Sequence, residues 1–270
     1  VETPKLVASD VDGTLLGPLD TVSDRTCAVI ERTLAAGTEF VLASGRPVRW
    51  IPDVAAEAGV SGYAVCANGA VLYDIAADRV LVAHELDPVL LADVVHAVTA
   101  QLPDAAVAVE RVGGSATALG GHEFLTDEGY QHPWYDDQIR TAPRGELVGR
   151  AAVKLLFRHH GVTSDELARA VRDLVGDAVT ITYSSDIGMI EISAAGITKG
   201  TGLAEVAARI GVDATEVVAF GDMPNDVPML RWAGLGVAMG NGHPDTLAAA
   251  DEITLSNAKD GVAAVLERWF

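Results

Sequence analysis

The chain has 270 residues, 49% hydrophobic and 21% charged, enough to bury the core of one large domain or two modest ones. Its 38 acidic and 19 basic residues give a formal charge of −19, and so negative a surface repels nucleic acid and anionic membranes, whose phosphates are met by Lys and Arg. A phosphorylated small molecule is repelled as well, unless a site supplies local positive charge in the form of a metal and a well-placed Lys.

Cys27 and Cys66 stand far apart without ligand spacing, which predicts a reducing compartment and two buried thiols. No apolar run approaches the length of a membrane span, and residues 1–5 carry no signal-peptide pattern. The expected location is cytoplasmic, with no nucleic acid, membrane or protein partner implied.

Residues 6–9 read as a short buried strand, and a carboxylate pair, Asp10 and Asp12, stands where it should end. At a strand's period of two the pair shares a face, and Gly13 gives the freedom to leave the strand. A cap at Ser23 predicts a helix over 24–36 that stops at Gly37. Residues 39–43 read as a strand ending in Ser44-Gly45-Arg46-Pro47, with Pro47 in the first turn of a helix to 58. A third strand over 63–66 runs into Asn68-Gly69, and a hairpin follows over 71–82. Strand, helix, strand, helix, strand is the order of a parallel sheet covered by helices, whose binding crevice lies at the carboxyl ends of the strands. Asp10, Asp12, Ser44 and Asn68 all fall at those ends.

From residue 84 the rhythm changes. Helices over 87–101 and 164–175 alternate with strands over 105–112, 151–157, 179–183 and 189–193, while 124–135 has no clean period. The first rhythm then resumes with a helix from Lys199, a strand over 216–220, Gly221 to Asp226 at its carboxyl end, a helix over 227–232, a strand over 235–239, a helix over 244–250, a strand over 253–255 and a helix over 261–269. The division expected is a core of 1–83 and 189–270, interrupted by an inserted α+β unit of 84–188.

Two acids at a buried strand end are costly together, and a divalent cation with hard oxygen ligands, Mg²⁺, removes that cost. An ordinary Asp-Gly turn is the plainer reading. A calcium loop fails on spacing, since its sixth and twelfth positions fall on Leu15 and Thr21. Asp222, Asn225 and Asp226 make a second polar cluster at a strand end, and two clusters in one sheet favour a shared metal site over two unrelated turns. Lys199 opposes the dipole of its helix by about 0.3–1 kcal/mol. A bound anion would explain that placement better than a solvated surface Lys does. No phosphate-binding Gly-x-x-x-x-Gly-Lys, dinucleotide Gly-x-Gly-x-x-Gly or Gly-x-Ser-x-Gly elbow is present.

Taken in order, Asp10-Val11-Asp12-Gly13-Thr14, Ser44-Gly45-Arg46-Pro47, Lys199-Gly200 and Gly221-Asp222-Met223-Pro224-Asn225-Asp226 resemble the four motifs of the haloacid dehalogenase (HAD) superfamily. Asn68-Gly69-Ala70, Ser256-Asn257 and Asp260-Gly261-Val262 resemble its Cof-type branch, whose large C2-type cap is inserted between the second and third motifs. The resemblance implies an α/β fold, with a Rossmann-like parallel-sheet core and an inserted α+β cap, and a Mg²⁺-dependent phosphatase. Asp10 would be the nucleophile and Asp12 the general acid and base. Asp10, the backbone carbonyl of Asp12 and Asp222 would hold Mg²⁺. Ser44 and Lys199 would bind phosphoryl oxygens, with Gly45, Arg46, Asn68 and Asn225 around the substrate and Thr14 and Asp226 bracing the site from behind.

The expected reaction is hydrolysis of a small phosphorylated metabolite, with sugar phosphates first and phosphorylated cofactors such as pyridoxal phosphate or flavin mononucleotide next. The alternatives are a phosphomutase on a sugar phosphate and a non-catalytic phosphometabolite-binding module. Specificity is expected in the cap, with His122, Tyr130, Trp134 and Tyr183 as candidates.

Overall fold

β1 (Leu6–Ser9) is buried along its whole length, which is why its sequence shows no polar alternation. The computed structural model describes residues 2–117, 123–132 and 139–270. The chain leaves β1 through a wide turn at Val11–Leu15, closed by the Leu16 N–H on the Val11 carbonyl at 2.9 Å. It then enters α1 (Asp24–Ala35), capped by the Ser23 hydroxyl. β2 (Glu39–Ala43), α2 (Ile51–Ala58), β3 (Tyr63–Cys66), β4 (Val71–Asp74) and β5 (Arg79–Ala83) follow. Pro47 is not in the first turn of α2. It is extended and precedes a short 3₁₀ turn at Val48–Trp50, and Pro52 takes the early helical position instead. Cys66 is buried as expected, whereas Cys27 is only half-buried, its thiol donating to the Glu57 carbonyl of α2 at 3.4 Å.

The inserted unit opens with α3 (Pro88–Gln101), capped by Asp87. It continues through β6 (Ala106–Arg111), β7 (Glu123–Thr126), β8 (Ile139–Thr141), α4 (Arg144–Val148), β9 (Lys154–Arg158), α5 (Ser164–Val175), β10 (Val179–Thr182) and β11 (Met189–Ala194). These strands form a six-stranded sheet in the order β10-β11-β9-β6-β7-β8, antiparallel except between β7 and β8. β7, β8 and α4 are absent from the sequence reading because each is too short to show a period. The return to the core also differs from the expected residue 189. β11 pairs with β9 and β10, and the two compact units divide at 82/83 and 197/198. A strand gives no local sign of which sheet it joins. Of the specificity candidates, His122 and Trp134 lie outside the described residues. Tyr130 and Tyr183 are buried, and Tyr130 packs into this unit's own core against Phe124 and Met189.

The chain re-enters the first unit with α6 (Lys199–Ile210), then β12 (Val217–Gly221), α7 (Val227–Trp232), β13 (Leu235–Ala238), α8 (Pro244–Ala249), β14 (Glu252–Ile253) and α9 (Gly261–Leu266). The eight-stranded sheet runs β14-β13-β12-β1-β2-β3-β4-β5, parallel from β14 to β3, with β4 antiparallel to β3. Leu6, Ala8, Val41, Ala43 and Ala219 share one core with Leu203 and Val206 of α6 and Met229 of α7, while the alternate residues Val7, Phe40 and Leu42 are buried on the opposite face. The first half of the chain builds outward from β1 on one side and the returning half builds outward on the other. The order therefore reverses between β1 and β12, the switch point at which open α/β sheets form their crevice.

Candidate active site

The switch point brings together the two acidic strand ends. The Asp10 N–H continues the β1–β12 ladder to the Phe220 carbonyl at 3.0 Å, so Asp10 stands beside the residues that follow β12. Its side chain is buried. Asp12, inside the wide turn, is exposed and faces away, and Arg46 holds it at two points, Nε to Oδ2 at 2.8 Å and a terminal nitrogen to Oδ1 at 2.6 Å. The turn separates the two carboxylates that a regular strand would have left on one face. Gly13 makes that turn possible. Its φ is +77°, and a Cβ there would lie 2.3 Å from Asp222 Oδ2. Thr14 donates its hydroxyl to Asp222 Oδ1 at 3.0 Å.

Lys199 is the first residue of α6, behind the cap at Thr198, and is wholly buried rather than solvated. Its ammonium donates to Asp10 Oδ1 at 2.5 Å and to Asp226 Oδ1 at 2.7 Å. The second oxygen of Asp226 accepts the backbone N–H groups of Asp222 and Met223, both at 2.9 Å. Asp226 therefore fixes both the Lys199 ammonium and the loop that carries Asp222. The unfavourable position of Lys199 against the helix dipole is offset by these two carboxylates.

Oxygens of Asp10, Asp222 and Asp226 lie within 4.8 Å of one another, and all three residues are buried. With one ammonium among them, two negative charges stay uncompensated. Burial, then the charge of Asp226, pushes the Asp10 carboxyl well above its usual value against the pull of Lys199. Burial, again followed by Asp226, raises Asp222 to about 7. Burial opposes the Lys199 ammonium, but Asp10 and Asp226 outweigh it and hold its pKa above normal. A dication would balance the cluster, and an all-oxygen donor set in a cradle that a single Cβ at Gly13 would fill suits a small hard metal. The Asp12 carboxylate is not in this group.

Ser44, at the end of β2, is fully buried, and its hydroxyl oxygen accepts the Arg46 N–H at 3.0 Å across Gly45. After β3 the backbone takes the left-handed region at Ala67 (φ +49°), Asn68 (φ +58°) and Gly69 (φ +102°). Ala67 and Asn68 are held there by the Arg46 and Ser44 carbonyls, which accept their N–H groups at 3.0 Å each. The Asn68 side-chain oxygen accepts from Asn225 Nδ2 at 3.0 Å. The Asn225 side-chain oxygen, Oδ1, is buried with no hydrogen-bond partner among the described residues. The ends of β2 and β3 are thus tied to each other and, through Asn225, to the loop after β12 that carries Asp222 and Asp226.

The loop after β13 is a further part of the site that sequence reasoning missed. Asn241 Nδ2 donates to the Gly13 carbonyl at 2.9 Å, and the His243 N–H donates to the Asp222 carbonyl at 2.7 Å. The signal available was positional: Asn241-Gly242 follows a parallel strand of the same sheet, beside β12.

Residues 7–266 match the family described as haloacid dehalogenase-like hydrolase. The chain belongs to that family. It is 30% identical over 268 residues to a 5-amino-6-(5-phospho-D-ribitylamino)uracil phosphatase of Bacillus subtilis, covering 98% of this chain and 95% of the relative. It is 27% identical over 267 residues to an HMP-PP phosphatase of Serratia proteamaculans, covering 98% and 95% respectively. Among solved structures, a HAD subclass IIB sugar phosphatase superposes with a TM-score of 0.82 at 22% identity over 98% of both chains, which establishes a shared fold. As a HAD hydrolase with relatives named phosphatases, the chain is an enzyme of the phosphomonoester hydrolase type. Among the described residues, no helix is long and apolar enough to cross a membrane.

Proposed function

We propose that this HAD enzyme is a Mg²⁺-dependent phosphatase that hydrolyses a small phosphorylated metabolite through an aspartyl-phosphate on Asp10, with sugar and polyol phosphates as the first substrate class. The observation that carries the reading is the division of labour between two carboxylates on one loop. Asp10 is buried and held by Lys199, and Asp12 is exposed and held by Arg46.

A carboxylate oxygen of Asp10 attacks phosphorus, and the bond from phosphorus to the leaving oxygen breaks. Asp12 gives its proton to that oxygen, so the product leaves as an alcohol. In the second step Asp12 takes a proton from water, whose oxygen attacks the phosphorus of the acyl phosphate, releasing inorganic phosphate and restoring the Asp10 carboxylate. Lys199 keeps Asp10 in place and offers positive charge to the phosphoryl oxygens in a surface that otherwise repels them. Asp10, Asp222 and the Asp12 carbonyl would hold Mg²⁺, which when bound supplies charge neutralisation for the transferring group. The Ser44 hydroxyl would donate to a phosphoryl oxygen, and Asn225 would orient the substrate, its side-chain oxygen, unpartnered among the described residues, accepting from a substrate hydroxyl.

The substrate class rests on the relative whose name specifies a phosphorylated ribityl group. Phosphate release from a panel of sugar phosphates, polyol phosphates, nucleotides and phosphorylated cofactors, run with Mg²⁺ and with EDTA, tests the reading. Metal-dependent release that vanishes in Asp10→Asn with the fold intact is the expected result. Undiminished release by that variant overturns it.

A further inference from the structure

The two loops that would hold the metal, Val11–Leu16 and the one carrying Asp222, are joined by a third segment that contributes no carboxylate. Asn241 reaches the first loop through Nδ2 on the Gly13 carbonyl at 2.9 Å. Its Oδ1 accepts the Asn257 N–H at 2.9 Å, so both ends of the amide are engaged and its orientation is fixed. Asn257 in turn donates Nδ2 to the Leu16 carbonyl at 2.9 Å, and its own Oδ1 accepts the Ala258 N–H at 3.0 Å. Two residues along from Asn241, the His243 N–H holds the Asp222 carbonyl at 2.7 Å. Gly242 lies between them with no space for a side chain: a Cβ would be 2.9 Å from the Met239 carbonyl and 3.2 Å from that of Asp222.

One short loop therefore grips both acidic strand ends, and the wide turn is held at two of its carbonyls by a pair of asparagines. From within, the Leu15 N–H donates to the Asp10 carbonyl at 3.3 Å and the Leu16 N–H to the Val11 carbonyl at 2.9 Å, and neither bond ties the turn to Asp222. Water could satisfy the Gly13 carbonyl but could not fix its place relative to Asp222.

We infer that Asn241, anchored by Asn257, is a positioning residue that sets the spacing between the Asp10–Asp12 turn and Asp222, and so the geometry of the metal site. The inference rests on the metal-dependent reading above. Its roles are unequal: Asn241 acts on the carbonyl next to Asp12, and Asn257 acts through Asn241 and from the far end of the turn.

Asn241→Ala and Asn257→Ala, with the double variant, are compared with the unaltered chain in three measurements: Mg²⁺ dissociation constant by calorimetry, melting temperature in EDTA, and kcat with KM on the best substrate of the panel. Outer groups that orient metal ligands typically cost 10–100-fold in affinity when removed. Asn241→Ala is expected to weaken Mg²⁺ about tenfold and to lower kcat at saturating metal more than it raises KM. Its melting temperature in EDTA stays close to that of the unaltered chain, because Asn241 is exposed and buries no core surface. Asn257→Ala moves the same quantities by less, and the double variant is no worse than Asn241→Ala, as expected of two residues in one relay. Unchanged Mg²⁺ affinity and kcat in Asn241→Ala, or losses that merely follow a fallen melting temperature in EDTA, overturn the inference and leave the phosphatase reading standing. Absence of Mg²⁺ binding by the unaltered chain overturns the metal-dependent reading and the inference with it.

Discussion

Arg46 and Asp12 form a two-point ion pair, 2.8 and 2.6 Å, between two loops that leave adjacent strands β1 and β2. The guanidinium fork matches the carboxylate and leaves it one rotational setting, which is what a group that must both give and receive a proton at one place needs. In the proposed reaction Arg46 would act through Asp12, which is not among the carboxylates of the acidic cluster.

Arg46→Lys keeps the charge and loses the fork. We expect kcat to fall about tenfold or more with little change in KM, while Asp12→Asn falls by roughly 10²–10⁴ as a lost general acid and base does. Steady-state kinetics on the best substrate separate the two, and a wild-type kcat in Arg46→Lys would show that the pair only decorates the surface.

Metal binding should depend on pH in a defined direction. Asp222 is raised from its ordinary 3.8 to about 7, so between those values the folded metal-free chain holds a proton that the unfolded chain has released. Metal-free stability therefore falls as pH rises through that window. Mg²⁺ must displace the proton, so its affinity climbs with pH up to about 7. Calorimetric titrations at several pH values, with denaturation in EDTA at the same values, check both slopes, and they should be opposite in sign.

Lys199→Met removes the one cation from a buried cluster. Leaving Asp10 and Asp226 without it is expected to cost about 3–5 kcal/mol in EDTA. The double variant Lys199→Met with Asp226→Asn should recover part of that loss, since one buried charge goes with its partner. Urea unfolding of both variants measures the difference, and equal stabilities would mean that the cluster already carries its compensating protons.

Gly13→Ala asks for a side chain at φ +77° and 2.3 Å from Asp222 Oδ2. The backbone strain alone is about 1 kcal/mol. The clash is worth more, because the turn must move away from Asp222. We expect Mg²⁺ affinity and turnover to fall together by at least about tenfold, with a smaller fall in melting temperature, and retention of both would place the Cβ where the structure leaves no room.

Much of the frame was open to a reader of the residues alone. The apolar run of β1, the Ser23 cap, Gly37 and the alternating strands and helices identify a parallel sheet, and that class of sheet puts its site at the carboxyl ends of its strands. Asp10, Ser44, Asn68 and Asp222 were found on that rule, because a strand end is a local feature. β7 and β8 were not found, since Glu123–Thr126 and Ile139–Thr141 are short and carry neither a measurable period nor a continuous apolar run such as the one that marks β1. The boundary at 197/198 was not found either, because β11 looks the same in either sheet.

The sequence by itself determined the fold class and the kind of side chains at each strand end, since periodicity, caps and turn residues act over a few neighbours. Only the tertiary structure decided which of those side chains meet. Lys199 became a buried partner of Asp10 and Asp226 rather than a solvated cation, Arg46 became the holder of Asp12, and Asn241 was tied to Gly13. These contacts join residues between 27 and 228 positions apart. They exist because the order of strands in the sheet, which no local pattern encodes, sets β12 against β1.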